Sequence, residues 1–330
     1  MKFLVVGLGS MGKRRIRNLI SLGHNEICGL DMRKDRLNES EKKYGIKVFP
    51  TFQSSISQKP DIMIISTSPN AHLKYVRLAV QNKIPFFTEV NTEPEHIKEI
   101  ISLTKKHKVM GISSMTMRFH PAIKVIKSYI GKRKLGKIYF INYHSGENLS
   151  DWHPWEDVLD YYVKSITTGG GRDQAVFELE WIFWVFGKPR EVMAKTSKLS
   201  NTKARIFDTY QMTFDLYNVP LANVLVDVVQ RPPNRILRVV LEHGVILWDW
   251  MSGLVRIYDS RTKKWEESAN GEGYKGFNVE EMYQNEMREV IRSIKEKKNF
   301  VSTFEHELLV AKSVILAEKS SKNRRSFKIQ

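Results

Sequence analysis

The chain opens with an apolar segment that runs directly into a glycine-rich turn, and this junction constrains the fold more than any other feature. Residues 2–6 form a short apolar segment rich in residues that favour strands, and GLGSMG follows at positions 7–12. Apolar residues then recur at helical spacing at Ile16, Leu19 and Ile20. The pattern predicts a strand, a tight turn and a helix.

Each glycine of this turn has a physical role. The first permits the turn, the second lets a pyrophosphate approach the backbone, and the third allows the helix to pack closely on the strand. Free N–H groups at the helix start then attract phosphate. The residues predicted to hold a dinucleotide are Gly7, Leu8, Gly9, Ser10, Met11 and Gly12.

A carboxylate ends the next predicted strand, residues 26–30. Asp31 lies 19 residues after Gly12, a spacing that suits hydrogen bonds to the ribose hydroxyls and repels the 2′-phosphate of NADP. Arg33 and Lys34 follow at once and are suited to accept such a phosphate. The prediction is NAD, with NADP as the alternative.

Basic residues crowd the first turns of the predicted helix, at Lys13, Arg14, Arg15 and Arg17. Positive charge at a helix N-terminus opposes the helix dipole, a penalty that a bound anion would reverse. For Arg15 and Arg17 we expect side chains that simply point into solvent.

Further strands are predicted at 62–66, 85–88 and 109–113, with helices such as 72–81 and 94–106 before them. Alternating strands and helices indicate a parallel sheet, whose ligands lie beyond the carboxyl ends of the strands. The residues expected near the nicotinamide are Thr67, Ser68, Pro69, Asn70, His72, Glu89, Val90 and Arg118.

Length and composition limit the class of protein. The 330 residues exceed one ordinary core and predict two domains, and 42% apolar with 27% charged residues is typical of a folded chain. No apolar run approaches the roughly 20 residues that span a bilayer, so we expect a cytoplasmic protein with no membrane partner. Cys28 is the only cysteine, and no spacing of histidines and carboxylates resembles a metal site, so no metal is predicted.

The net charge of +17 favours anionic partners. Lysine and arginine are nevertheless spread over nearly every segment, and the densest cluster, residues 319–325, falls at the end of a predicted helix where cations suit the dipole. We therefore expect no specific nucleic-acid binding and an anionic small molecule instead.

Six short segments resemble, in order and spacing, the Gfo/Idh/MocA family of NAD(P)-dependent oxidoreductases. They are GLGSMG, STSPNAH at 66–72, MRFHP at 117–121, LGKI at 135–138, GGG at 169–171 and FGKP at 186–189. The resemblance implies an α/β protein with an N-terminal Rossmann domain, residues 1–119, and a C-terminal α+β domain, residues 120–330. It also implies action on sugars, cyclitols or sugar nucleotides, and a homodimer or homotetramer built through a large, mostly antiparallel C-terminal sheet.

The sequence independently predicts that second sheet from strands with two-residue periodicity. The predicted strands are 190–195, 207–216, 222–229, 236–242, 245–248 and 254–258, and the predicted closing helices are 279–297 and 305–322.

The chain departs from the family where catalysis is concerned. Members usually carry Glu-Lys-Pro where this chain has Glu89-Val90-Asn91, and Val90 cannot transfer a proton. The family also tends to have Asp followed four residues later by His, positions that Asp173 and Phe177 occupy here.

Candidate replacements lie in the segment DWHPWED, residues 151–157, and just beyond it at Tyr161, Tyr162 and Lys164. His153 is the first choice for proton transfer because histidine titrates near neutral pH, the alternative being a loop-packing histidine. Lys164 suits the role only if burial lowers its pKa. Asp173 is expected to orient the base, bind a hydroxyl or cap the helix. The segment is also similar to a branch of the family associated with bacterial surface sugars of the nonulosonic-acid type.

The residues around several other candidates in the sequence suggest where their side chains lie. Burying both Glu178 and Glu180 in one apolar helix is costly, so we expect one, Glu178, to face the cleft. Arg118 and His120 are expected to meet a substrate carboxylate or phosphate, or to hydrogen-bond between the domains. Trp152 and Trp155 are expected to stack on a sugar or to pack in the core.

The sequence thus favours an NAD(P)-dependent oxidoreductase that acts on a carbohydrate-derived alcohol or carbonyl. The alternative, favoured by Val90 and Phe177, is a dinucleotide-binding protein of the same fold that has lost its chemistry.

Overall fold

A computed structural model gives the structure of the protein and describes residues 1–268, 278–298, 300 and 303–330. The chain forms two compact units, residues 1–116 with 279–308 and residues 117–278 with 309–330. Within the described ranges, no helix is long and apolar enough to cross a membrane.

The helices are α1 Ser10–Ser21, α2 Lys34–Tyr44, α3 Phe52–Ile56, α4 Pro69–Gln81, α5 Pro94–His107, α6 Pro121–Lys132, α7 Leu149–Trp152, α8 Gly170–Phe186, α9 Glu280–Glu296 and α10 Phe304–Asn323. The strands are β1 Phe3–Val6, β2 Ile27–Leu30, β3 Lys47–Phe49, β4 Ile62–Ile65, β5 Phe86–Thr88, β6 Gly111–Ser113, β7 Ile138–Asn148, β8 Pro189–Ser197, β9 Thr209–Leu216, β10 Val219–Asp227, β11 Val229–Leu241, β12 Gly244–Asp249, β13 Val255–Asp259, β14 Lys264–Ser268 and β15 Phe327–Lys328.

The first unit is a parallel six-stranded sheet in the order β3-β2-β1-β4-β5-β6. Every residue of β1 and β4 is buried, because helices cover both faces of such a sheet. This strand order is that of a Rossmann fold and confirms the predicted domain type.

Helix α9 belongs to the first unit, although it follows the second in sequence. Its Glu286 is fully buried and accepts hydrogen bonds from Ser114 Oγ, the Met115 N–H and Thr116 Oγ1 at 3.0, 2.6 and 2.9 Å. The predicted division at residue 119 places this helix in the second domain. Its polar contacts with the end of β6 attach it to the first, and the hydrophobic periodicity from which it was predicted carries no information about such partners.

The second unit contains a nine-stranded sheet in the order β14-β13-β12-β11-β7-β10-β9-β8-β15. Strands β7 and β10 pair in parallel and the other neighbours pair antiparallel, which confirms a mostly antiparallel sheet. Helix α8 packs on one face, toward which Tyr143 and Ser145 of β7 point. The neighbouring residues Asn142 and His144 lie on the opposite face, since side chains alternate along a strand.

Candidate functional site

The turn after β1 has the geometry of a phosphate cradle. Gly7 has φ +88°, a left-handed conformation that favours glycine. A Cβ on Gly12 would lie 1.8 Å from the carbonyl oxygen of Gly7, so α1 approaches the turn as closely as a glycine allows. These two positions accept no side chain.

Helix α1 starts at this turn with its first N–H groups available. Gly9 precedes the helix, and no side chain caps its N-terminus. Ser10 is exposed and Met11 is half-buried, so the first turn is open to a ligand. Uncapped N–H groups with the positive end of the helix dipole bind a pyrophosphate well. The chain therefore fits the cofactor that its fold implies.

Asp31 lies beside this turn at the end of β2. Its carboxylate accepts hydrogen bonds from the Leu8 N–H at 2.7 Å and from the Arg33 N–H at 2.8 Å. Both bonds fix the carboxylate next to the glycine turn, where the ribose hydroxyls of a dinucleotide are recognised.

An arginine that the sequence analysis did not name, Arg36, lies near Asp31. The Arg33 guanidinium pairs with Asp35 on the surface. In contrast, Arg36 Nη1 lies 3.8 Å from Asp31 Oδ2 and 3.3 Å from where a Cβ on Gly9 would be. The sequence missed Arg36 because it is one helical turn farther along, on the face of α2 that meets the glycine turn.

The segment after β4 contains the predicted residues Thr67 to Asn70. Pro69 is the first residue of α4, and Ser68 Oγ donates to Asn70 Oδ1 at 2.6 Å. His72 is buried in α4, and its ring nitrogens lie 2.9 Å from the Thr67 carbonyl and from Asn91 Oδ1. Burial lowers the pKa of His72, which these two hydrogen bonds oppose. His72 thus ties the segment after β4 to the segment after β5.

Glu89, at the end of β5, is held by Arg15 of α1. The Arg15 Nε and Nη2 groups donate to the two carboxylate oxygens at 2.6 and 2.9 Å, and Arg15 Nη1 lies 2.9 Å from Glu286. Our expectation of a solvent-facing Arg15 is wrong, because its side chain is fully buried between two carboxylates that raise its pKa against the effect of burial. Arg17 is exposed, as predicted.

The two residues after Glu89 have different surroundings. Val90 is half-buried and offers no ionisable group. Asn91 is buried, and its N–H donates to Glu307 at 2.9 Å while its side-chain amide donates to both oxygens of the same carboxylate. The position of the family lysine therefore has no proton-transferring side chain, and the position after it is structural.

In the second unit, α8 exposes a single narrow stripe. Every residue of this helix is buried except Asp173, Phe177 and Trp184. Asp173 and Phe177 are four residues apart and so lie on the same face. These are the two positions at which the family resemblance places Asp and His, and both are accessible here.

Asp173 has a phenol as its neighbour. The Tyr162 hydroxyl donates to Asp173 Oδ2 at 2.9 Å. Burial, followed by the charge of Asp173, raises the pKa of Tyr162 well above 10, which keeps the phenol protonated. Tyr162 and Asp173 thus form a fixed donor and acceptor pair beside the accessible stripe.

Glu178 does not face a cleft as expected, because it is fully buried. Glu180 is buried as well and pairs with Arg118 Nε at 2.7 Å. Both carboxylates are tolerated inside because each is paired with an arginine. The five donors to Glu178 are Tyr143 at 2.6 Å, Ser145 at 3.0 Å, Gln174 at 3.0 Å, Trp181 at 2.9 Å and Arg235 at 2.8 Å.

His153 and Lys164 lie in the loop before α8. The His153 ring stacks against Tyr161 and Trp155 with centroids 4.4 and 5.2 Å apart, and its Nδ1 lies 3.2 Å from Glu156. Lys164 is exposed and donates to a backbone carbonyl at 2.8 Å. The burial that a proton-transferring lysine requires is absent at Lys164.

Arg118 and His120, which were predicted to meet the substrate, contact other residues of the second unit instead. Arg118 is buried by Glu180 and by the face of Trp184, 4.9 Å away. His120 caps α6 by accepting the Ala122 N–H, and its ring packs at a tilt against Trp248 and Trp250. Neither side chain has the exposure that substrate contact requires. Trp155 is 73% exposed and Trp152 packs on the core around Leu149.

Sequence reasoning missed Arg235 and Glu147, two charged residues on the inner face of the sheet. Arg235 precedes Leu237, Val239 and Leu241, which are all buried, so strand alternation places it on their face. The predicted strand started one residue too late, at Ile236, and excluded it.

Comparison with known proteins agrees with this architecture. Residues 1–114 match the profile described as the oxidoreductase family with an NAD-binding Rossmann fold, and residues 123–247 match the GFO/IDH/MocA C-terminal domain. No curated protein sequence matches the chain significantly.

Similar solved structures cover nearly the whole chain at low identity. One is an oxidoreductase from Agrobacterium radiobacter in complex with NAD+, L-tartaric acid and magnesium, with 14% identity, a TM-score of 0.87, and 100% of this chain and 98% of that chain covered. Another is levoglucosan dehydrogenase with NADH and levoglucosan, with 13% identity, a TM-score of 0.88, and 100% and 99% covered. A probable dehydrogenase from Thermotoga maritima has 20% identity, a TM-score of 0.81, and 100% and 99% covered. At these identities the likeness shows the fold alone.

Proposed function

The chain belongs to the Gfo/Idh/MocA family of NAD-binding oxidoreductases, and on this premise we propose that it transfers hydride between a carbohydrate-derived hydroxyl or carbonyl and NAD. The observation that carries the proposal is the glycine turn, where Gly7 and Gly12 admit no side chain and Asp31 is fixed beside the open helix start. Levoglucosan dehydrogenase, a protein of similar fold, supports a sugar as substrate. The loop at 151–157 supports a sugar of the bacterial surface-sugar branch.

The nicotinamide of NAD supplies the hydride acceptor or donor. The protein must then move one proton to or from the reacting oxygen. The candidates for this step are the predicted residues His153, Lys164, Asp173 and Glu178, and their surroundings rank them.

Three of the four are less suited to proton transfer than Asp173. Glu178 is fully buried and its oxygens are occupied by five donors, so no substrate reaches it. Lys164 is exposed and donates to a backbone carbonyl, so it lacks the buried setting that a proton-transferring lysine requires. His153 is stacked between two aromatic rings and contacts Glu156 in the loop.

Asp173 is the remaining candidate, and we assign it the proton transfer. It is accessible on α8, and the Tyr162 hydroxyl holds one of its carboxylate oxygens at 2.9 Å. On oxidation, Asp173 takes the hydroxyl proton as hydride leaves the carbon; on reduction it returns that proton to the carbonyl oxygen. Tyr162 is a positioning residue, since it acts through Asp173.

The experiment that tests this function has two parts. NAD at millimolar concentration should raise the melting temperature, because a ligand well above its Kd stabilises the folded state. A panel of sugars, sugar acids and nucleotide sugars is then offered with NAD and NADH formation is followed. Tight NAD binding with no turnover on any sugar supports the alternative, a dinucleotide-binding protein without chemistry.

We also propose that a second copy of the chain covers the outer face of the nine-stranded sheet. Met193, Leu221 and Ile236 lie on that face and are 57%, 44% and 47% exposed. Several large, exposed apolar residues on one face of a sheet favour an interaction surface there. Light scattering after size-exclusion chromatography should give a dimer or tetramer, and Leu221→Glu with Ile236→Glu should give a monomer.

A further inference from the structure

Arg235 is a firmly held charged side chain on the inner face of the second unit's sheet. It lies on β11 opposite Ser145 of β7, on the face that α8 covers. Its Nε donates to Glu178 at 2.8 Å, and its guanidinium stacks on Trp250 at 4.7 Å from the ring centre. An ion pair and an indole therefore fix both the position and the plane of the group.

Glu178 is itself fixed by four other donors, from Tyr143, Ser145, Gln174 and Trp181. It needs only one hydrogen bond from Arg235, and it takes that bond from Nε. Glu178 balances the charge of Arg235, but the outer edge of the guanidinium, away from Nε, makes no hydrogen bond to it.

That outer edge consists of the Nη1 and Nη2 groups. Neither donates a hydrogen bond to any residue of the described chain, and neither is sealed from solvent, although the side chain is only 12% exposed. A rigid guanidinium with two unused, accessible N–H groups matches the two oxygens of a carboxylate, which accept parallel hydrogen bonds in one plane.

The charged and titratable neighbours leave this edge open to an anion. His120 carries no competing positive charge, because burial and the charge of Arg235 lower its pKa to about 3. Glu147 is half-buried and lies on the same face, but no ion pair joins it to Arg235 within 4 Å. Burial raises the pKa of Glu147, the charge of Arg235 lowers it and the charge of Glu178 raises it, and the net rise reduces the repulsion of an anion by Glu147.

We propose that Arg235 binds a carboxylate of the substrate, so that the protein acts on a sugar acid rather than a neutral sugar. The inference rests on the proposed function and specifies its substrate class. Arg235 is a specificity-determining residue in this account, and Asp173 remains the proton-transferring one.

The test compares matched ligands by isothermal titration of the NAD-loaded protein. The probes are glucuronate against glucose, galacturonate against galactose, and glucose 6-phosphate as the phosphate form of the anion. We expect each acid to bind at least about tenfold more tightly than its neutral partner, since hydrogen bonds to charged groups have roughly this effect. Glucose 6-phosphate should bind less tightly than glucuronate.

Arg235→Gln should abolish the preference for the acids and leave the binding of neutral sugars within about twofold. Arg235→Gln removes the cation paired with the buried Glu178 and should lower the melting temperature, although Glu178 keeps four neutral donors. The melting temperature and NAD binding show whether the variant is folded, and Arg235→Lys, which keeps the charge, tests the site if it is not. Arg238→Gln is the matched control, since Arg238 is exposed on the opposite face of the same strand and should not alter the preference. Arg235→Lys keeps the charge without the planar pair of donors and should retain only part of the preference.

The outcomes separate this inference from the proposed function. Equal binding of acids and neutral sugars, or an Arg235→Gln variant that keeps the preference, overturns the carboxylate site. If neutral sugars alone bind and reduce NAD, the oxidoreductase function stands and the carboxylate site is wrong. If no sugar of any kind binds, both are wrong.

Discussion

Arg15 of α1 donates hydrogen bonds of 2.6 and 2.9 Å to the two carboxylate oxygens of Glu89 at the end of β5. The first helix after the glycine turn is thereby fastened to the segment that follows β5. Because Arg15 also pairs with Glu286 of α9, one buried guanidinium links three elements of the first unit.

Replacing Arg15 should therefore destabilise the protein. Arg15→Met leaves Glu89 and Glu286 without their cation, and the loss should be about 3–5 kcal/mol, as for other broken buried ion pairs. Urea unfolding measures it. Arg17→Met, two residues away on the exposed side, should change stability by less than about 0.5 kcal/mol. Equal effects of the two variants would contradict the role given to Arg15.

The glycine turn should tolerate no added methyl group. In Gly12→Ala the new Cβ would lie 1.8 Å from the Gly7 oxygen, so α1 or the turn must move, at a cost of at least about 1–3 kcal/mol. The thermal shift caused by NAD should shrink or vanish. Gly131→Ala is the control, because its Cβ meets nothing within 4 Å in α6 and should be neutral or stabilising. A Gly12→Ala variant with an unchanged NAD shift would exclude this turn as the cofactor site.

Cofactor preference should depend on Asp31 and Arg36. Asp31→Ser removes the charge that repels a 2′-phosphate and keeps the positive charge of Arg36, which lies 3.8 Å from the Asp31 carboxylate, so affinity for NADP relative to NAD should rise about tenfold or more. Adding Arg36→Ala to this variant should cancel the gain, whereas adding Arg33→Ala should not. If Arg33→Ala cancels the gain and Arg36→Ala does not, Arg33 is the residue that accepts the 2′-phosphate.

His120 should make stability depend on pH. Its pKa is about 3 in the folded protein against an ordinary 6.5, so below pH 6.5 the unfolded chain takes up a proton that the folded chain does not. Stability should therefore fall as pH drops from 6.5 toward 3, by about 1.4 kcal/mol per pH unit from this residue.

His120→Asn isolates that contribution, because asparagine still caps α6 but does not titrate. Urea unfolding at pH 7 and pH 4.5 should show that the parent protein loses about 2–3 kcal/mol more than the variant between the two values. An identical loss in both proteins would show that His120 titrates normally when folded.

The sequence predicted the features that depend on local pattern. The glycine turn, the following helix and the strands of the first sheet other than β3 have periodicities and turn residues that identify them. Strand β7 was missed because its inward residues include Tyr143, Ser145 and Glu147, so the expected apolar alternation is interrupted.

The features that depend on distant partners were not predictable in the same way. Glu178 is buried because donors from β7, α8 and β11 converge on it, and a helical pattern contains no information about two of those elements. Arg15 was misjudged for the same reason, since its partners lie 74 and 271 residues away in the chain. Asp173 was found from the family pattern, but its partner Tyr162 became apparent only from the fold.

The most direct test of the account is NADH formation by Asp173→Asn on the best sugar found for the parent protein, with Asp160→Asn, an exposed change in the nearby loop, as the control. We predict that kcat falls at least about 100-fold in Asp173→Asn, while NAD still raises the melting temperature equally and Asp160→Asn keeps full activity. Parent-like turnover in Asp173→Asn would contradict the assignment of proton transfer to Asp173.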